Sequence, residues 1–95
     1  MNARKVYTLC RYIGGAREVA CWNDDGTPTL WHTLGEANAE LRDHRAELKA
    51  QGMTDATIHV RQAWQLPGGG LLVPGENGNG DHWTREELRA MRGGS

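Results

Sequence analysis

Two cysteines and four histidines are the residues of this chain best suited to do chemistry, and their spacing argues against it. Cys10 and Cys21 read as members of adjacent strands of one hairpin, on the same face and diagonal to each other across a two-residue loop. A disulfide or half of a metal site is open to such a pair. Yet there is no Cys-x-x-Cys anywhere in the chain, and zinc needs four ligands at closer local spacing. The N-terminal stretch MNARKVYTLC has no apolar run and no cleavage site, so it does not read as a signal peptide. The expectation is a reducing cytoplasm and two buried free thiols, because a free cysteine packs as a small hydrophobe. His32, His44, His59 and His82 form no His-x-x-x-His pair, and none neighbours a cysteine in sequence. His44, one turn after Glu40, is placed to titrate near neutral pH. It also lies on an apolar stripe and reads better as a packed core residue.

The carboxylates and glycines give no stronger signal. Asp24-Asp25 sit in a turn and Glu86-Glu87 at a helix start, where both have local structural work and no burial to perturb them. GGGLLVPG and GENGNG do not match Gly-x-x-x-x-Gly-Lys, and neither stands between a strand and a helix as a phosphate loop requires. No catalytic, metal or cofactor-binding residue is therefore expected. What stands out is the basic set, nine arginines against two lysines. Arginine makes planar bidentate contacts and is enriched at protein interfaces. The expected partner-binding residues are Arg17, Arg61, Arg85 and Arg89, with Trp64, Leu71, Leu72 and Trp83 as apolar anchors around a Gly/Pro-rich segment. The blander account is that genomic composition favours arginine and that tryptophan replaces the missing phenylalanine in the core.

These residues need a scaffold, and its clearest element runs from Thr33 to Gly52. Thr33 and Glu36 have the spacing of a capping box, and Gly52 stands where a helix ends in a left-handed residue. Leu34, Ala37, Leu41, His44 and Leu48 recur at three- and four-residue steps and share one face. That stripe is thin, so the helix must lie on a sheet. Val6–Ile13 alternates as a first strand, Gly14-Gly15 is a hairpin turn, and Arg17–Trp22 returns, with Arg11 facing Glu18, Leu9 facing Ala20 and Tyr7 facing Trp22. After a turn at Asn23–Gly26, Thr27–Trp31 reads as a third strand, at an edge because of Pro28.

Beyond the helix, Thr57–Trp64 reads as a fourth strand with Ile58, Val60 and Trp64 inward and His59, Arg61 and Ala63 outward. Counting reversals makes it parallel to the first strand and beside it, in the order third, second, first, fourth. Leu71–Val73 is a short arm that can pair back on it. Pro67–Gly80 is expected to be a mobile arm beyond a core at 5–66. Thr84 and Glu87 form a second capping box, and Trp83 and Leu88 have hydrophobic-staple spacing, for a short helix over 84–92 stopped by Gly93-Gly94. The whole is one α+β domain over 1–95, an antiparallel-dominated sheet of four or five strands with the long helix packed on one face and the short helix near an edge.

The aromatic strand Tyr7-Thr8-Leu9, the Trp-closed hairpin (Trp22, Asp25-Gly26, Trp31), the helix opening Thr33-x-x-Glu36-Ala37 with Glu40-Leu41, and the strand Ile58-His59-Val60-Arg61 resemble small proteins encoded by phages and other mobile elements. The anti-CRISPR inhibitors are similar in size and in lacking catalytic residues. The resemblance spans residues 5 to 61 and carries no motif from which a site could be transferred. It implies a non-catalytic module that binds a host protein or nucleoprotein effector in the bacterial cytoplasm and occludes it, with a homodimer left open. The alternative is a small nucleic-acid-binding protein using Arg11, Arg17 and Arg61 on an open sheet face. A net charge of −1 argues against a general polyanion binder. No apolar run approaches the ~18 residues of a membrane span.

Overall fold

A computed structural model describes residues 3–54, 57–75 and 80–93. Strand β1 (Arg4–Ile13) turns at Gly14-Gly15 into β2 (Ala16–Val19). Both glycines have positive φ, 60° and 84°, the requirement of a two-residue turn that matches strand twist. The register places Arg11 opposite Glu18, as the charges suggest. Ladder pairing stops at Val19, one bond beyond it joining Ala20 N–H to the Leu9 carbonyl at 2.8 Å.

The chain then leaves the sheet, and Thr27–Trp31 is not a strand. Only two isolated bridges form, Trp22 with Pro28 and Tyr7 with Trp31. Between them the chain reverses once more than the alternation pattern reveals. Trp31 takes the place beside β1 that β2 has vacated, exchanging 2.8 Å bonds with Tyr7 in both directions. It runs antiparallel to β1. Helix α1 (Leu34–Ala50) follows, then β3 (His59–Gln65), β4 (Leu71–Val73), β5 (Asp81–Trp83) and α2 (Arg85–Gly93). The extra reversal makes β3 antiparallel to β1, from Arg4↔Gln65 to Cys10↔His59, where the count of reversals made it parallel. All strand pairs are antiparallel, in the order β2-β1-β3-β4-β5.

Both helices start as their sequences dictate. Thr33 accepts from Glu36 N–H and Glu36 accepts from Thr33 N–H, each at 3.2 Å. At the other end Met53 N–H reaches the Leu48 carbonyl at 2.8 Å, Gly52 N–H reaches that of Lys49 at 3.0 Å, and Gly52 has φ 75°. That is the Schellman termination, two orphan carbonyls satisfied around a left-handed glycine. Thr84 and Glu87 repeat the reciprocal cap on α2 at 3.0 and 3.1 Å.

Register decides which face each side chain occupies. Val6, Cys10, Val19, Ala63, Leu71, Val73 and Trp83 all fall on one face and form the main core, joined by Leu88 of α2. Trp22, Leu30 and Met91 pack against it. Leu9, Val60 and Ile58 fall on the other face, and α1 contacts β1 and β3. Ala37 is the buried residue of α1, Leu41, His44 and Leu48 are half-buried, and Leu34 is 50% exposed. Ala63, expected to face outward, is fully buried because the face away from α1 is itself covered and holds the main core.

The sheet curls. Arg17 of β2 and Asp81 of β5 lie on opposite edge strands, which in a flat sheet stand four spacings, about 19 Å, apart. Yet Arg17 Nη1 meets Asp81 Oδ2 at 3.2 Å. The main core therefore occupies a concave face, and the pair bridges its mouth. No helix among the described residues is long and apolar enough to cross a membrane.

Candidate functional site: an arginine-walled groove

The excursion from Trp22 to Trp31 is held by its own polar side chains. Asn23 N–H bonds the Thr27 carbonyl at 2.8 Å, and Asn23 Nδ2 donates to Thr27 Oγ1 at 3.0 Å. Asp25 Oδ1 accepts from Thr27 Oγ1 at 2.6 Å and from Thr27 N–H at 3.0 Å. These bonds, the hydroxyl first, hold the Asp25 carboxyl below its ordinary pKa. Thr8, a fully buried polar residue of β1, donates to the Thr29 carbonyl at 3.1 Å and ties the loop to the sheet. The result is a firm wall rather than a trailing segment.

Opposite this wall stand α2 and the β3–β4 turn. Leu66 N–H bonds the Gly70 carbonyl at 2.9 Å and Gly69 N–H that of Leu66 at 3.0 Å. Gly69 has φ 91°, and a Cβ there would stand 3.4 Å from Arg85 Cδ, so the bare turn leaves room for the arginine stem. Gly70 is tighter still: a Cβ would come within 2.7 Å of the Trp83 carbonyl oxygen.

Between the two sides runs a groove in two adjoining parts. The larger, about 510 Å³, is bounded by Arg4, Arg85, the Asn23–Leu30 loop and the Pro67–Gly69 turn, with Gln65 and Leu71 at its base. The smaller, about 270 Å³, continues between Asp25–Pro28 and Arg85, Leu88 and Arg89. Arg4 Nη2 donates to Gln65 Oε1 at 2.6 Å, which fixes that guanidinium at the rim. No Asp or Glu is among the described residues lining the larger part. In the smaller part Asp25 opposes two arginines. This concentration of cations contrasts with a chain whose net charge is −1.

The expected binding residues are divided by this geometry. Arg85 and Arg89 are exposed and line the groove. Leu71 lies at its base but is 1% exposed, and Trp83 is 9% exposed: both belong to the core and cannot serve as protruding anchors. Trp64 and Leu72 pair on the opposite face, Trp64 half-buried and Leu72 38% exposed. Pro67–Gly80 is thus not one docking arm, since Leu71 and Val73 are core residues of β4; residues 76–79 lie outside the described set.

Arg17 is engaged by Asp81 and by the Tyr12 hydroxyl at 2.9 Å, and its guanidinium lies over the Tyr12 ring at 5.5 Å. Arg61 donates to the Pro74 carbonyl. Arg11 donates to the Ala20 carbonyl at 3.2 Å and lies on the α1 face, whereas Arg17 and Arg61 lie on the concave one. Those three arginines do not form a common face. Arg4 carries no signal of this site in the sequence, because it lies 81 positions before Arg85 and only the folded sheet brings them together.

One further juxtaposition has the outline of chemistry. Cys10 stands directly opposite His59 on β1 and β3. His59 stacks on Tyr12 at 5.5 Å and 18°, and its Nδ1 is 2.7 Å from the Thr57 carbonyl, so Nδ1 carries the proton. Burial pushes the Cys10 thiol up to about 12, outweighing the nearby Arg17 and Arg61 charges. A wholly buried thiol held protonated is no nucleophile at neutral pH. Cys21 is also free, half-buried, and raised chiefly by burial. No group of three or more His, Cys, Asp or Glu placed to hold a metal occurs among the described residues. The chain matches no protein-family model, no curated protein and no solved structure.

Proposed function

We propose that this chain is a non-catalytic binding module that docks on an acidic surface of a protein or nucleoprotein effector through the groove between the Asn23–Leu30 loop and α2. The observation that carries this reading is the charge of the groove. Arg4, Arg85 and Arg89 converge on it, and Asp25 alone opposes them among the described lining residues. Its larger part has the size of an ordinary ligand cleft. Guanidinium forks favour carboxylate and phosphate. The effect of docking would be occlusion, as in the small inhibitors that residues 5 to 61 resemble in type. A protein partner is favoured over nucleic acid because a duplex track needs a row of phosphate contacts. Arg17 and Arg61 are committed to contacts within the chain.

The test is affinity capture from the cytosol of the source cell, followed by mass spectrometry. Wild type is compared with Arg85→Glu/Arg89→Glu and with Arg42→Glu, an exposed control on α1. A partner retained by wild type and the control but lost by the double reversal supports the reading. A partner retained equally by all three refutes it. Binding that collapses with salt at ~0.9 log units per phosphate contact identifies duplex DNA instead.

A further inference from the structure

We infer that the larger part of the groove is a seat for an acidic side chain of an extended peptide, held between Arg4 and Arg85, with a neighbouring apolar side chain lodged against Pro28, Leu30 and Pro67. This inference rests on the binding-module reading and names the ligand class of its site.

Four observations converge on it. The lining carries two guanidinium groups and, among its described residues, no carboxylate; the nearest acid in the groove, Asp25, lines only the smaller part. Arg4 is oriented by a neutral acceptor, the Gln65 amide oxygen at 2.6 Å. One such bond uses one of the five donors of a guanidinium and leaves its charge intact. Beside the cations the wall is mixed: Pro28, Leu30 and Pro67 give it an apolar stretch, next to the polar Asn23 and Thr27. The volume of about 510 Å³ holds more than a bare ion. A free inorganic anion would leave that apolar stretch unfilled. An alternating acidic and apolar segment fills both halves, because successive side chains of an extended peptide point to opposite sides and alternate ones return to the same side.

The chemistry also selects against nucleic acid. A strand would need cations spaced along a track and aromatic faces for its bases. The four tryptophans do not supply those faces: Trp83 is buried, and Trp22, Trp31 and Trp64 are half-buried.

The test uses the full chain and a short fluorescein-labelled peptide of alternating Glu and Leu, followed by fluorescence anisotropy. The comparison probes are the same peptide with Gln for Glu and a labelled oligothymidylate of equal length. Saturable binding of the Glu peptide is expected, weakened about five- to tenfold by Arg4→Gln and by Arg85→Gln, as loss of a charge-assisted hydrogen bond implies. Arg85→Lys, which keeps the charge, should recover part of the loss, and Arg42→Gln should leave binding unchanged. Thermal melts matching wild type exclude unfolding as the cause. The inference is overturned if the Glu peptide does not bind, if the Gln peptide binds equally, if Arg4→Gln and Arg85→Gln bind like wild type, or if the oligothymidylate binds more tightly. Failure here with Arg85- and Arg89-dependent capture intact removes the ligand assignment alone. Loss of that dependence removes the functional reading itself.

Discussion

Replacing Asp81 and Arg17 singly and together tests the curl of the sheet, because their ion pair joins its two edge strands. At 3.2 Å, Coulomb attraction between unit charges is about 1.3 kcal/mol in bulk water and about 5 kcal/mol at an effective dielectric constant of ~20. The Arg17 side chain is 12% exposed and that of Asp81 38%, so water reaches the anion and the larger figure is discounted strongly. A coupling of about 1–2 kcal/mol is expected. Asp81→Ala should cost about 2 kcal/mol, because it strands a mostly buried guanidinium whose Nε has no hydrogen-bond acceptor and whose other named partner is the Tyr12 hydroxyl. Arg17→Met keeps the aliphatic bulk and leaves Asp81 free to hydrate, and should cost about 1 kcal/mol. The double variant should lose less than the sum. Urea unfolding followed by tryptophan fluorescence measures all four corners, and each kcal/mol corresponds to roughly 4–8 °C in Tm for a domain of this size. A coupling below about 0.3 kcal/mol would show that the pair does not hold the edges together and would refute this account of the concave core.

Other expectations follow from single sites. Gly70→Ala forces a Cβ within 2.7 Å of the Trp83 carbonyl oxygen, and should cost about 1–3 kcal/mol in denaturant unfolding. Trp83→Ala, which empties a core position 9% exposed, should cost about 3–5 kcal/mol in the same assay; little change would displace Trp83 from the core. The Cys10 thiol stays protonated to about 12 when folded, against 9.0 as its ordinary value. The unfolded chain then releases its proton first, so the stabilisation is complete below pH 9 and is lost as pH rises toward about 12. The slope should approach about 1.4 kcal/mol per pH unit, and Cys10→Ala should flatten the pH dependence of urea midpoints in that window. Thr33→Ala removes the acceptor for Glu36 N–H and should cost about 1 kcal/mol, read by thermal melting.

Local features were legible in the sequence, and long-range ones were not. Both capping boxes, the Gly14-Gly15 turn and the Arg11–Glu18 pair depend on residues a few positions apart, and all are present. The direction of β3 depended on the path of Thr27–Trp31, where a reversal between Pro28 and Trp31 leaves no signature in the alternation of apolar residues. Leu71 and Trp83 looked like exposed anchors because a glycine-rich neighbourhood suggests a free arm. Their burial comes from the curl of the sheet, which no local pattern encodes, and from Leu88 of α2, whose staple spacing to Trp83 was the one local sign of it. Of the expected contact residues, Arg85, Arg89 and Leu71 do line one groove. Arg4 and the Asn23–Leu30 wall were invisible because tertiary packing alone brings them there.

Amide hydrogen exchange on the captured complex tests the docking surface most directly. Slowed exchange is expected on partner binding at residues 23–30, 66–70 and 85–89, with the Trp64–Leu72 face unchanged. Protection confined to Trp64, Leu72 and α1, with the groove exchanging as in the free chain, would contradict it.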